Sequence, residues 1–258
     1  MTLEVKTVTV GFGGVVALKD VSLSVTPAAI AAVVGPNGSG KSTLFNAISG
    51  LVSTRTGTIG LDGKDLAGMT PQRRISAGIA RTFQTPRFDP RVTVLETVKR
   101  GFYPKSRVSL IGVLLRSPAT QAEEREITKG ALAILADLGL ARYADELMSS
   151  LPMGHVRLVE VARAIANEPA YILLDEPAAG LTRDERNVLA REIRRIAARG
   201  VGVLLVEHNF DLVRQLADEI TVLNQGRMLL RGKPDDVAAD RDFIAIYLGR
   251  GPSRKLAS

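Results

Sequence analysis

A glycine-rich stretch near the start of the chain has the residue types needed to hold phosphate. Gly35 to Thr43 reads Gly-Pro-Asn-Gly-Ser-Gly-Lys-Ser-Thr and fits the pattern G-x-x-x-x-G-K-[ST]. Its glycines allow several backbone N–H groups to point at one anion, and the helix predicted after it presents a positive dipole end. Lys41 is expected to contact the β- and γ-phosphates of a nucleotide, and the Ser42 hydroxyl to ligate Mg²⁺. The predicted nucleotide-binding residues of this loop are Gly35, Pro36, Asn37, Gly38, Ser39, Gly40, Lys41, Ser42 and Thr43.

Two adjacent carboxylates follow a second apolar run, Tyr171 to Leu174. A carboxylate at the C-terminal end of a parallel strand faces the ligand crevice of an open α/β sheet. We therefore expect Asp175 to hold Mg²⁺, directly or through water. Glu176 is expected to orient and deprotonate the water that attacks the γ-phosphate. The alternative is an acid pair in a surface loop, and the phosphate loop in the same chain favours the catalytic interpretation.

Three further side chains are candidates for the same site. His208 ends the next predicted strand, so its imidazole is expected to reach a γ-phosphate oxygen as a catalytic group; a surface histidine is the alternative. Gln84 lies where the sheet gives way to a helical segment, and its side-chain carbonyl can ligate Mg²⁺ or hold the attacking water. Phe12 precedes two glycines and is predicted to stack on the purine, with a buried core phenylalanine as the competing interpretation.

Alternating strands and helices must position these residues. Leu3 to Val10 and Val21 to Val25 alternate with period two, and Thr58 to Gly63 adds a short strand and turn, which predicts a small antiparallel sheet. Thr93 to Leu151 is mostly helical in pattern, and later apolar runs predict buried parallel strands. The fold class predicted is α/β: a P-loop NTPase (RecA-like) core with an N-terminal antiparallel β-subdomain and an inserted α-helical subdomain.

Composition limits the function classes. The 258 residues carry a net charge of +7, no cysteine and only 4% aromatics. The absence of cysteine excludes disulfides and thiol catalysis. The basic balance is compatible with nucleic acid, with an anionic membrane or with scattered solvated charge. Because no basic stripe is interleaved with aromatics, no nucleic-acid partner is predicted. Neither a signal-peptide core nor a run of about 20 apolar residues is present, so a cytoplasmic location is expected.

In order and spacing, these motifs resemble those of the ATP-binding cassette (ABC) ATPases. The resemblance rests on the phosphate loop, the Gln84 segment, Leu151 to His155, the Asp175–Glu176 pair and His208. The family's signature motif is Leu-Ser-Gly-Gly-Gln, which this chain matches at Leu151 and Gly154 only. By resemblance, ATP and Mg²⁺ are the expected cofactors. The second set of nucleotide contacts would come from Leu151, Pro152, Met153 and Gly154.

Within that family, the chain resembles one subgroup, the longer ATPase subunit of branched-chain amino acid importers. Arg81-Thr82-Phe83-Gln84, Val206-Glu207-His208 and Tyr247-Leu248-Gly249 are similar to that subgroup's segments. The chain departs from it at Met153 and His155, where Tyr and Gln are usual. Ala28-Ala29 also replace the usual Gly-Glu before the phosphate-loop strand.

The resemblance also implies partners and boundaries. Two ATPase subunits would close head-to-tail, as a homodimer or as a heterodimer with a sister ATPase. Integral membrane permease subunits would dock on the helical subdomain, which places the chain on the inner face of the cell membrane and links it indirectly to a periplasmic binding protein. The expected single ABC domain covers 1–249, with the core at about 1–85 and 166–235, the helical subdomain at about 86–165 and a loose basic tail at 250–258.

Several alternatives remain at this point. Importers of the subgroup also carry urea, amides or aromatic acids. An exporter or lipid-extraction ATPase has the same fold, although the Leu-Pro-Met-Gly signature argues against it. Soluble ABC proteins of translation or DNA repair usually have two cassettes or a coiled-coil insertion, and this chain has neither. A non-catalytic binding module is disfavoured because Lys41, Asp175, Glu176 and His208 are all present.

Overall fold

The computed structural model describes residues 2–82, 88–103 and 118–247, and in these ranges the strands form two sheets. The strands are β1 (Leu3–Phe12), β2 (Val15–Val25), β3 (Ile30–Val34), β4 (Thr56–Leu61), β5 (Lys64–Asp65), β6 (Ile79–Arg81), β7 (Tyr171–Asp175), β8 (Gly202–Val206), β9 (Glu219–Asn224) and β10 (Arg227–Gly232). The helices are α1 (Lys41–Ile48), α2 (Pro71–Ser76), α3 (Val94–Lys99), α4 (Pro118–Asp137), α5 (Met153–Ala166), α6 (Arg183–Ala198), α7 (Phe210–Leu216), α8 (Pro234–Ala239) and α9 (Arg241–Tyr247). None of the described helices is long and apolar enough to span a bilayer.

The larger sheet has the strand order β10-β9-β3-β8-β7-β6. Five neighbouring strands run parallel to one another, in the order β9, β3, β8, β7 and β6. The edge strand β10 pairs with β9 in an antiparallel hairpin. Every residue of β7 and β8 is buried, as expected for a parallel strand covered on both faces. The carboxyl ends of β3, β7 and β8 therefore meet at one edge, where the predicted site residues begin. The α/β prediction is confirmed.

The second sheet is antiparallel, in the order β2-β1-β4-β5. Its core face carries the alternating apolar residues of β1 and β2. Strand β2 begins at Val15, six residues before the predicted start at Val21. The predicted start was wrong because Val15 to Asp20 is mostly exposed and Asp20 interrupts the alternation in a left-handed conformation, with φ 53°. The extension brings β2 beside the phosphate loop.

A helical layer lies between β6 and β7 in the sequence. The helices α3, α4 and α5 share one buried cluster, which includes Val98, Ala131, Leu135 and Leu138. Gly139, with φ 72°, follows α4 and provides the left-handed residue that ends it. The predicted helical character of this segment is confirmed in its described part. The domain boundaries, including that near residue 86, stay predictions, and the tail 250–258 lies outside the described residues.

The substitution Ala28 lies in the turn between β2 and β3 and adopts φ 62°. A left-handed conformation costs a residue with a Cβ about 1–2 kcal/mol, and glycine avoids this cost. Glycine also increases the entropy of the unfolded chain, worth about 0.4–1 kcal/mol. We expect Ala28→Gly to raise the free energy of unfolding by roughly 0.5–1 kcal/mol.

Urea unfolding of Ala28→Gly and Ala29→Gly tests this expectation. Ala29 is the matched control, because it is not among the residues with positive φ. Ala29→Gly should therefore lower the free energy of unfolding by up to about 1 kcal/mol. Equal destabilisation of both variants would contradict the strain at Ala28.

Candidate functional site

A cavity of about 450 Å³ lies beside the loop between β3 and α1. It brings the phosphate loop together with Glu176 and His208, which come from the ends of β7 and β8. The extension of β2 and the β9–β10 turn form its other walls. The lining residues are Val15, Val16, Ala17, Asn37, Gly38, Gly40, Lys41, Ser42, Thr43, Glu176, His208, Gln225 and Gly226. The size of the cavity and the loop residues on its wall, Lys41 among them, suit the phosphates of a nucleotide.

The loop backbone requires glycine at two positions. A Cβ on Gly35 would lie 2.1 Å from the carbonyl oxygen of Leu223, and one on Gly40 would lie 2.5 Å from Cδ2 of Leu18. Gly40 is also the N-cap of α1, with φ 104° and no side-chain hydrogen bond to the first turn. The N–H groups of that turn thus lack a side-chain cap and can donate to an anion.

Lys41 closes the loop on itself. Its Nζ donates to the carbonyl oxygens of Gly35 and Pro36 at 2.8 and 2.9 Å. Burial lowers the pKa of the Lys41 ammonium, while Glu176 and Asp175 oppose this shift through their negative charges. To contact a phosphate, the ammonium must exchange neutral carbonyl acceptors for charged oxygens, and this exchange favours binding.

Asp175 ends β7 in a buried ion pair. Its Oδ2 lies 3.2 Å from Nη2 of Arg81, and the two side chains are 2% and 8% exposed. Arg81 also donates to Asn46 Oδ1 at 2.7 Å and Ser49 Oγ at 2.8 Å, which ties β6 to α1. Burial raises the pKa of the Asp175 carboxyl, and the charge of Arg81 opposes the rise.

The residues at this position fit a divalent cation. The Oδ1 of Asp175 is buried and has no hydrogen-bond partner among the residues that the structure describes. A hard oxygen ligand of this kind suits Mg²⁺, as does the Ser42 hydroxyl; Ser42 lines the cavity and Asp175 does not. Gln84, the third predicted ligand, lies outside the described residues.

Glu176 and His208 form a direct side-chain pair. The His208 Nε2 lies 2.7 Å from Glu176 Oε1, although the residues are 32 positions apart in the sequence. Glu176 adopts φ 49°, an uncommon conformation for a non-glycine residue, and its N–H donates to the Val206 carbonyl at 2.9 Å. Arg157 Nη1 donates to the Glu176 carbonyl at 3.0 Å, which links α5 to this residue. A carboxylate held beside an imidazole can accept a proton from water.

The signature segment does not reach this cavity in the same chain. Leu151, Pro152, Met153 and Gly154 are absent from its lining residues, and Met153 is 57% exposed. Gly154 packs on the loop after β7, since a Cβ there would lie 2.8 Å from the Gly180 carbonyl oxygen.

The two substituted signature positions have different surroundings. Met153 is exposed, whereas His155 Nε2 lies 2.6 Å from Glu185 Oε1 and its ring packs on Tyr143 with centroids 4.8 Å apart. Glu185 is also the N3 residue of the capping box that begins α6, and it accepts from the Thr182 N–H at 2.7 Å. His155 therefore joins the start of α5 to the start of α6.

Phe12 is 52% exposed, so its interpretation as a core phenylalanine is wrong. It is not one of the residues that line the cavity. Its proposed stacking on a purine therefore stays a prediction. Val15 and Val16, which do line the cavity, are apolar neighbours at the same end of the β1–β2 hairpin.

Three polar residues around the site had no predicted role. Arg81 holds Asp175, Arg157 holds the Glu176 carbonyl, and the buried Glu207 binds the backbone next to Glu176 and His208. For Glu207 a signal was available, because a carboxylate directly after five apolar strand residues is costly to bury unless it is hydrogen-bonded. Arg157 carries no such signal, since its position on α5 is also that of an ordinary surface arginine.

Comparisons with known proteins agree with this geometry. The family model described as "ABC transporter" matches residues 18–179. The chain is 34% identical over 248 residues to the high-affinity branched-chain amino acid transport ATP-binding protein BraF of Pseudomonas aeruginosa, covering 96% of this chain and 97% of the relative. It is also 34% identical over 248 residues to the LivG protein of Escherichia coli K12, which bears the same functional description, with the same coverage.

Solved structures show the same relationship. A nucleotide-free ATP-binding cassette from an ABC transporter superposes with a TM-score of 0.82 at 30% identity, covering 96% of this chain and 99% of that one. A dimeric cassette in a post-hydrolysis state, bound to ADP and Pi, superposes with a TM-score of 0.78 at 27% identity, covering 91% and 99%. The chain therefore belongs to the ABC transporter family, in which it is an ATP-binding cassette ATPase.

Proposed function

We propose that this cassette hydrolyses ATP to drive the uptake of branched-chain or related amino acids through separate membrane subunits. One observation carries the ATPase half of the proposal: a single cavity holds the phosphate loop, Glu176 and His208. The transport half is supported by the names of relatives that align over nearly the whole chain.

The phosphates are held by the residues that line the loop side of the cavity. The uncapped first turn of α1 and the loop N–H groups donate to the phosphate oxygens, and Lys41 supplies a full positive charge. Ser42 and Asp175 would hold Mg²⁺, joined by Gln84 as predicted from the sequence. Bound there, the cation would neutralise negative charge on the phosphates.

Glu176 performs the proton transfer. Its carboxylate accepts a proton from the attacking water, whose oxygen forms a bond to the γ-phosphorus while the bond to the ADP oxygen breaks. The Nε2 of His208 lies 2.7 Å from Glu176 Oε1 and holds the carboxylate in place. This nitrogen carries at most one hydrogen, so donation to a γ-phosphate oxygen would replace the contact with Glu176. The products are ADP and inorganic phosphate.

A second cassette completes the site. Leu151, Pro152, Met153 and Gly154 do not line the cavity of their own chain, which supports their use by a partner in a head-to-tail pair. The pair is a homodimer or a heterodimer with a sister ATPase. It docks on integral membrane permease subunits at the inner face of the membrane, and these receive cargo from a periplasmic binding protein.

Replacing Lys41 with Met tests the phosphate site. Because charge-assisted hydrogen bonds contribute about 1.5–3 kcal/mol, we expect ATP affinity to fall by roughly 10- to 100-fold. Binding of a fluorescent ATP analogue to the purified chain measures the loss. Lys64→Met, an exposed lysine on β5, is the matched control and should bind as the wild type does. Equal affinity in the Lys41 and Lys64 variants would contradict the site.

Cargo is tested separately, in vesicles that contain the cassettes, the permeases and the binding protein. ATP-dependent uptake of labelled leucine is the expected result. Uptake of urea, amides or aromatic acids instead would support the importer function but contradict amino acids as the cargo. Outward movement of cargo would identify an exporter.

A further inference from the structure

Glu207 is a buried carboxylate whose hydrogen bonds join two loops. It follows β8 directly and is 4% exposed. One oxygen, Oε1, accepts from the Ala178 N–H at 2.8 Å, in the loop after β7. The other, Oε2, accepts from the His208 N–H at 3.1 Å and from the Asn209 N–H at a marginal 3.5 Å. The carboxylate therefore spans the gap between the two loops with one oxygen on each.

These loops carry the catalytic pair. Ala178 lies two residues after Glu176, and the other loop begins at His208 itself. The register of β7 and β8 ends with Asp175 opposite Val206, and the Glu176 N–H makes one further bond to Val206. The hydrogen-bonded ladder thus stops where Glu176 and His208 begin. Beyond this point, the Glu207 carboxylate joins the Ala178 N–H on one side to the His208 N–H on the other.

The peptide groups of His208 are held from two directions. Glu207 accepts from the His208 N–H, and the Tyr247 hydroxyl on α9 donates to the His208 carbonyl at 2.7 Å. Burial raises the pKa of the Glu207 carboxyl, and the hydrogen bonds from Ala178, Asn209 and His208 oppose the rise. Burying a carboxylate carries a desolvation penalty that only such bonds offset, so losing one of them leaves the group poorly satisfied.

We propose that Glu207 is a positioning residue for ATP hydrolysis, whose carboxylate fixes the loop of Glu176 relative to that of His208. It acts through these two residues and does not line the cavity itself. The inference rests on the roles proposed above for Glu176 and His208. A small relative displacement of the loops would lengthen the 2.7 Å contact between the two side chains and misplace the base.

The first test is hydrogen exchange of the full chain without nucleotide. Glu207→Gln keeps the length of the side chain but replaces one acceptor oxygen with an NH₂ group. This group is a donor and cannot accept from the backbone N–H that it faces. Exchange is expected to rise at least about fivefold at Ala178 and His208 and to stay unchanged in α6. Glu207→Asp, which keeps the charge but is one methylene too short to span both loops, is the second variant. Glu192→Gln, another buried glutamate, is the matched control and should leave both loops protected.

The second test is ATP turnover by the same proteins. For Glu207→Gln we expect kcat to fall about tenfold while KM for ATP stays within about twofold, as misplacement of a base without loss of binding requires. Unchanged kcat or unchanged exchange in both loops would overturn the proposal, as would a rise in exchange spread evenly over the chain. Absence of ATPase activity in the wild-type chain, both alone and together with its sister cassette, would refute the proposed function instead, and loop exchange would still show whether Glu207 ties the loops.

Discussion

Replacing Glu176 with Gln is expected to lower the rate of ATP hydrolysis by about 100-fold or more, the usual contribution of a general base. Glutamine keeps the size of the side chain and can still lie beside His208, but it cannot accept a proton from water at neutral pH. The phosphate loop, α1 and Lys41 are unaffected, so ATP affinity should stay within about twofold, because only an interaction specific to the transition state is lost. Phosphate release and binding of a fluorescent ATP analogue measure the two quantities.

The exposed Glu126 on α4 provides the matched control for this substitution. Glu126→Gln should hydrolyse ATP at the wild-type rate in the isolated chain. If Glu176→Gln lowered affinity and turnover in the same proportion, Glu176 would be a binding residue. If it turned over normally, another group would be the base.

Replacing Arg81 with Met is expected to lower the free energy of unfolding by about 3–5 kcal/mol, as for other buried ion pairs that lose one partner. The pair is 2% and 8% exposed, so little solvent screens the charge that remains. Asp175 already has one buried oxygen without a partner in the described part of the chain, and the substitution would leave the other without its cation. Arg81 also joins β6 to Asn46 and Ser49, and these bonds would be lost as well.

Urea unfolding of nucleotide-free protein measures this effect, with Arg214→Met as the control. The Arg214–Asp235 pair is on the surface, with side chains 57% and 81% exposed, and its loss should cost at most about 1 kcal/mol. Adding Asp175→Asn to Arg81→Met should recover part of the stability, since the buried charge is then removed. A cost below about 1 kcal/mol for Arg81→Met alone would show that the pair does not stabilise the fold.

The parts of the site that sequence alone predicts are those with local causes. The phosphate loop is a continuous motif, and the strands β7 and β8 are continuous apolar runs whose ends mark Asp175, Glu176 and His208. Parallel pairing then places these ends at one edge of the sheet. The direct 2.7 Å contact between Glu176 and His208 was not predicted and is seen only in the structure.

The remaining parts depend on contacts between distant segments. Arg81 meets Asp175 across 94 positions, and Glu207 meets Ala178 across 29, so neither contact has a local pattern. The early start of β2 was missed because an exposed hairpin end does not alternate. At Ala28 the sequence departs from the glycine usual in the subgroup, and the structure shows why glycine is usual there. The backbone at this position is left-handed, a conformation that glycine adopts without strain.

One cavity, at the ends of three parallel strands, is expected to bind ATP and to place its γ-phosphate beside Glu176. A crystal structure of Glu176→Gln with ATP and Mg²⁺ tests this claim most directly. We expect the phosphates to occupy the cavity of about 450 Å³, with Lys41 Nζ moved from the Gly35 and Pro36 carbonyls to the phosphate oxygens. Mg²⁺ should lie against the Ser42 hydroxyl and on the side of Asp175. Nucleotide bound elsewhere, or bound with Lys41 still on both carbonyls, would contradict the claim.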